Sequence, residues 1–160
     1  MWYFAYGSNM NRQQVEIRVR RVGLRSMLAR LGGYTLRFNK KSTKDKSGKA
    51  NAVPRRGGRG WGVVFELNAE EFERLREYEG GYEPKAVEVW IPEQGKMVRA
   101  ETFLADADKA DVFPSFDYLR LIVEGARQHG VPADSCQRLA RFQTKGKGNA
   151  ESICRTSASA

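Results

Sequence analysis

Two groups of residues in this chain have the types and spacing that chemistry requires. The first is Glu79. Asn68 has the side chain of a helix N-cap, Glu70 and Glu71 follow in the first turn, and Gly80-Gly81 is a stop, so a helix is expected from Ala69 to about Glu79. Its apolar stripe runs through Phe72 and Leu75, and the next position on that stripe is Glu79. A carboxylate in a core-facing slot at the negative end of a helix is pushed toward its neutral form, which suits proton exchange near neutral pH. The alternative is that Glu79 turns outward as the helix frays. The second group is Tyr6-Gly7-Ser8-Asn9, a turn that ends an apolar run. Such a turn exposes consecutive main-chain N–H groups that can hold a carboxylate or a developing oxyanion. Equally open is an ordinary turn in which Ser8 and Asn9 bond to their own backbone.

Other chemistry finds no support. His129 is the sole histidine and is expected in the last turn of a helix, where a cation suits the dipole, so it reads as a cap. There is no GxSxG for a nucleophile elbow, no GxGxxG or Walker loop for a nucleotide, and no histidine set for a metal. Cys136 and Cys154 lack CxxC spacing and are expected as thiols, neither bridged nor metal-bound. No metal and no cofactor is expected.

The elements that must position these residues follow an α+β order. Trp2 to Tyr6 reads as a strand covered on both faces, leading into the Gly7-Ser8-Asn9 turn. Residues 11–31 are basic and amphipathic with a helix early on. Strands are expected at Tyr34 to Asn39, Ala50 to Pro54, Trp61 to Leu67, Ala86 to Ile91 and Met97 to Leu104, about six in all with the first. Ser115 caps a helix from Phe116 to His129, and a short helix carrying Cys136, Leu139 and Phe142 follows. The expected fold is a closed or nearly closed sheet with helices packed outside. One domain over residues 1–143 and a flexible tail over 144–160 complete the layout.

Composition narrows the partners. The formal charge is +9, but nine basic residues and one acid lie between Arg37 and Arg59, and the remainder holds 19 basic and 18 acidic residues. The excess is therefore confined to a Gly/Ser/Lys-rich segment, residues 37–59, expected as a mobile loop. No run is apolar enough for a membrane span, and the opening Met1-Trp2-Tyr3-Phe4 lacks the plan of a signal peptide, so a cytoplasmic protein with no membrane partner is expected.

The segment Tyr3-Phe4-Ala5-Tyr6-Gly7-Ser8-Asn9-Met10 resembles the opening strand and turn of the γ-glutamylcyclotransferase family, which includes the cyclotransferase of butirosin biosynthesis. Trp61 to Leu67 is similar to that family's second signature strand, and Leu75-Arg76-Glu77-Tyr78-Glu79-Gly80 to its helix ending in Glu-Gly. Ordered matches run from Tyr3 to about Phe142. The resemblance implies a small β-barrel with flanking helices and cyclisation of a γ-glutamyl group to 5-oxoproline, with Glu79 catalytic. It also implies substrate binding by Tyr6, Gly7, Ser8, Asn9, Tyr82 and Tyr118, with no metal or cofactor. Arg76 stands where many members carry Asp, and the stretch from Glu79 to Tyr82 is short, which leaves the leaving group open.

Two other classes compete. A nucleic-acid-binding module would use the basic segment for phosphates, but that segment lacks aromatic platforms, and a solvated surface loop, or one that attracts acidic γ-glutamyl substrates, explains it more simply, so nucleic acid is not the expected partner. A non-catalytic small-molecule binding protein would keep the pocket without turnover. Nothing in the sequence sets an oligomeric state.

Overall fold

The computed structural model describes residues 1–146 and 148–155. Five strands, β1 (Trp2–Ala5), β2 (Ser26–Lys41), β3 (Gly48–Glu66), β4 (Glu83–Ile91) and β5 (Lys96–Leu104), close into a barrel in the order β1-β3-β2-β4-β5. All neighbours are antiparallel except β1 and β5, which meet in parallel at Tyr3 and Glu101, so the barrel is mixed. The helices α1 (Arg12–Val19), α2 (Ala69–Arg76), α3 (Phe116–Gln128), α4 (Ala133–Ala140) and α5 (Glu151–Arg155) flank it.

The unbroken apolar character of β1 follows from burial on both faces. Phe4 joins Met27, Ala29, Leu31, Val64, Val87, Val89, Ile91 and Ala100, a cluster drawn from all five strands. Tyr3 and Ala5, one residue to either side, face the helix layer with Val63, Phe65, Leu119, Ile122 and Val123.

The hairpin of β2 and β3 departs from expectation. The strands expected at Ala50 to Pro54 and Trp61 to Leu67 are one strand, and β2 begins at Ser26, within the segment 11–31 for which only an early helix was expected. The basic segment 37–59 is not a mobile loop: it forms the ends of β2 and β3, paired from Arg37↔Asn51 to Lys41↔Gly48, leaving residues 42–47 as the turn. Cross-strand pairing absorbs the polar backbone that Gly, Ser and Lys would otherwise leave to water. The shift in register between Gly32 and Tyr34, opposite Arg55 to Gly58, marks where the glycines disguise a continuous strand.

The helix after β3 begins as expected. Asn68 accepts from the N–H of Glu71 (2.8 Å) while Glu71 Oε2 accepts from the N–H of Asn68 (2.9 Å), a reciprocal capping box. Glu71 is 2% exposed, and its Oε1 also accepts from Arg21 Nε at 2.5 Å. Burial pushes the Glu71 carboxyl up, but Arg21 and the Asn68 N–H together outweigh it and hold the group below its ordinary value. A depressed folded pKa means that this carboxylate stabilises the fold above its unfolded pKa and stops doing so as pH falls through the folded one. Glu71→Ala is expected to cost about 2 kcal/mol at neutral pH, read from the urea midpoint, with the deficit shrinking in acid.

Beyond α3 two expectations change. His129 is the C-cap of α3, but burial lowers its pKa, and its Nδ1–H donates to Gly125 O (3.0 Å), so it is a neutral, packed ring. The segment expected as a tail from Thr144 carries structure as far as Arg155. Thr144 bridges Gly148, the buried Ala150 donates to Ala140 O (2.8 Å), and α5 packs on α4. The rest of that expectation, residues 147 and 156–160, lies outside the described residues.

Candidate active site

The strand–turn–helix unit at the chain start builds one wall of a cavity of about 700 Å³. After β1, Gly7 leads into a 3₁₀ turn, Ser8–Met10, closed by Met10 N–H to Gly7 O and Asn11 N–H to Ser8 O (3.0 Å each). The amides of Gly7, Ser8 and Asn9 have no protein acceptor among the described residues. A Cβ on Gly7 would stand 3.1 Å from Ala50 Cβ and 3.5 Å from Tyr118 Oη, so glycine keeps this turn open to the cavity.

Asn9 does not bond to its own backbone. Its Nδ2 donates to Glu79 Oε1 (3.0 Å) and Tyr3 Oη (3.1 Å), and its Oδ1 accepts from Arg18 Nη1 (2.9 Å) and Gln14 Nε2 (3.2 Å). Two donors and two acceptor sites are all an amide has, so the Asn9 side chain is saturated by the protein. It is a buried hub joining β1, α1 and Glu79.

Glu79 reaches that hub from just outside α2, which ends at Arg76, earlier than expected. The chain then tightens, with Tyr78 N–H to Leu75 O and Glu79 N–H to Arg76 O, both 3.0 Å. Residues 79–82 form a turn closed by Tyr82 N–H to Glu79 O (3.0 Å), with φ +83° at Gly81, a conformation that favours glycine. The stripe through Phe72 and Leu75 thus does extend to Glu79, in a non-helical conformation. Oε1 is anchored by Asn9, whereas Oε2 faces no protein donor among the described residues. Burial raises the Glu79 pKa, partly offset by the charge of Arg18 and the Asn9 hydrogen bond.

Four phenols ring the site and differ in what they have left to offer. Tyr6 donates to Phe103 O (2.5 Å) and Tyr82 donates to Ala50 O (2.7 Å), so both donors are spent. Tyr118 accepts from Ala50 N–H (2.9 Å) and Tyr3 accepts from Asn9, so each keeps its own O–H to give. Burial pushes Tyr118 up to about 12 and the other three well above their ordinary value, so all stay protonated near neutral pH.

All seven residues expected from the sequence, Tyr6, Gly7, Ser8, Asn9, Glu79, Tyr82 and Tyr118, line this one cavity. Tyr3, Gln14, Arg18, Lys40 and Lys49 line it as well and were not expected. Gln14 and Arg18 carried a usable signal: two polar residues four apart share a helix face, and that face starts just after the turn. Lys40 and Lys49 carried none, because nothing local in the basic segment shows that it pairs back on itself. Among the described residues no cluster of His, Cys, Asp or Glu is arranged for a metal, and no helix is long and apolar enough to cross a membrane.

Known proteins resemble this chain over most of its length. The chain is 27% identical over 148 residues to human gamma-glutamylcyclotransferase, covering 88% of this chain and 78% of that one. It is 29% identical over 160 residues to the bovine gamma-glutamylcyclotransferase, covering 93% and 84%. A solved structure of a gamma-glutamyl cyclotransferase superposes with a TM-score of 0.82 at 27% identity, covering 98% of both chains. YkqA from Bacillus subtilis superposes at 0.75 with 27% identity, covering 88% of this chain and 53% of that one. The AIG2-like family pattern matches residues 59–139, half of the chain, from the later part of β3 across the Glu79 turn and into α4, and the chain belongs to the AIG2-like family.

Proposed function

We propose that this chain cyclises γ-glutamyl compounds to 5-oxoproline, releasing an amine or amino acid, with Glu79 carrying the proton. The observation that carries this is a half-buried carboxylate with one oxygen tied to Asn9 and the other open to a cavity walled by unengaged main-chain N–H groups. Kinship with the gamma-glutamylcyclotransferases supports the same assignment. The amides of Gly7, Ser8 and Asn9 take the substrate's α-carboxylate and bring its α-amine toward Glu79. An α-amine is largely protonated at neutral pH, so Glu79 Oε2 removes a proton before the nitrogen attacks the γ-carbonyl carbon. A C–N bond forms to close the lactam and the original amide C–N bond breaks. The proton held by Glu79 passes to the departing nitrogen, and Glu79 then relays the second proton, shed by the attacking nitrogen as it becomes the lactam N–H, to the released amine, which leaves as an ammonium. The free O–H of Tyr118 is the donor for the carbonyl oxygen as charge develops there, while Tyr6 and Tyr82 shape the site through their bonds to main-chain carbonyls. A cytoplasmic setting suits this assignment, as the chain's two cysteines lack the spacing of a disulfide framework.

The test is 5-oxoproline release from a panel of γ-glutamyl dipeptides and γ-glutamylamines. Ligand-dependent thermal shifts without turnover would favour a binding protein instead. The pH profile gives a second check. A raised Glu79 pKa means that kcat/KM falls as pH drops through a value above the ordinary carboxylate range, because the base becomes protonated. Arg18→Met removes a charge that favours the carboxylate, so the acid limb moves to higher pH. A limb that stays in place would show that Arg18 does not tune the base.

A further inference from the structure

We infer that the site prefers a leaving amino acid bearing a second carboxylate, such as γ-linked glutamate. The inference rests on the cyclotransferase assignment and concerns the wall of the cavity that the assignment leaves unused. The end of the β2–β3 hairpin supplies that wall, with Lys40, Lys44 and Lys49. Lys49 Nζ lies 4.1 Å from the centre of the Tyr118 ring, and Lys40 Nζ lies 5.7 Å from that of Tyr82. Tyr118 and Tyr82 bond the N–H and C=O of one residue, Ala50, so the two ammonium groups are held beside the two phenols that clamp it.

None of the three lysines has a carboxylate within ion-pair distance among the described residues. The acids that share the cavity are Glu79, Asp45, Glu77 and Asp117. Asp45 is turned to Ser47, accepting from its Oγ–H (2.7 Å) and N–H (3.0 Å). Lys49 is half-buried and feels the charge of Asp45 only from beyond ion-pair distance, and a partly desolvated cation without a close partner gains from an arriving anion. The glutamyl half of the substrate does not use these cations, because its carboxylate goes to the Gly7 turn and its amine to Glu79. They face the leaving group. An ordinary leaving amino acid brings one carboxylate, which one lysine satisfies. The second held ammonium calls for a second carboxylate.

The experiment compares γ-glutamylglutamate with γ-glutamylglutamine, which match in size and differ in one charge. For the wild-type protein, kcat/KM measured by 5-oxoproline release should favour γ-glutamylglutamate about tenfold, and the ratio should shrink at high salt. In Lys40→Gln and Lys49→Gln the ratio should fall toward one. Equal rates on the two substrates, or a ratio untouched in both variants, would overturn the inference while leaving the cyclotransferase assignment standing. Release of 5-oxoproline from neither substrate, nor from any other γ-glutamyl compound, would remove the assignment and the inference together. The wild-type ratio needs no variant, so poor folding of either lysine variant does not spare the inference.

Discussion

Glu79→Gln should leave a folded protein that releases 5-oxoproline at least about 10³-fold more slowly than wild type. Glutamine keeps an oxygen where Oε1 accepts from Asn9, so the Tyr3–Asn9–Arg18 hub retains its bonds. What disappears is the basic oxygen open to the cavity. Because burial disfavours the carboxylate, the amide should unfold at or above the wild-type temperature. Circular dichroism with a melting curve, beside chromatographic detection of 5-oxoproline, separates the two effects. Turnover at the wild-type rate would mean that the proton travels by another group. Loss of both activity and fold would mean that Glu79 holds the structure together, as a purely structural carboxylate does.

Gly125→Ala should be strongly damaging although Gly125 does not line the cavity. Gly125 lies where α3 crosses the turn that follows β1, and a Cβ there would stand 2.4 Å from Asn11 N, 2.5 Å from Met10 C and 2.8 Å from Met10 Cβ. Two of those three atoms are main chain, so no rotamer change relieves the contact. Either α3 or the turn must move. The expected cost is about 3 kcal/mol in urea unfolding. Because the same turn carries the amides of Gly7 to Asn9 and the Asn9 hub, kcat/KM per folded molecule should also fall on the order of 10²-fold. Full activity in the folded fraction would show that the turn tolerates displacement and that the amides are not a substrate cradle.

Much of the site was legible because its signals are local. The capping box of Asn68 and Glu71, the stop at Gly80-Gly81 and the stripe through Phe72 and Leu75 each involve neighbours in sequence, and together they turned Glu79 inward. The end of the helix was less legible. Three residues of tighter winding separate Arg76 from Glu79, and periodicity does not distinguish a helical position from the same face reached by a turn. The hairpin was the larger miss. Gly57, Gly58, Gly60 and the lysines around residues 40–49 have the composition of a loop, yet long-range pairing with β2 makes them strand. His129 shows the same limit, since its place at a helix end suggested a cation but burial beside Phe65 makes it neutral.

By itself the sequence determined the apolar first strand, the glycine turn after it and a core-facing slot for Glu79 at the end of a helix, because each depends on residues close together in the chain. The tertiary structure alone decided that Arg18 and Gln14 complete the hydrogen bonds of Asn9, that Tyr82 and Tyr118 are engaged with Ala50, and that three lysines line the same cavity. Those contacts join β1, α1, the hairpin and α3. Their partners lie up to 68 residues apart, and only closure of the barrel brings such side chains within hydrogen-bond reach.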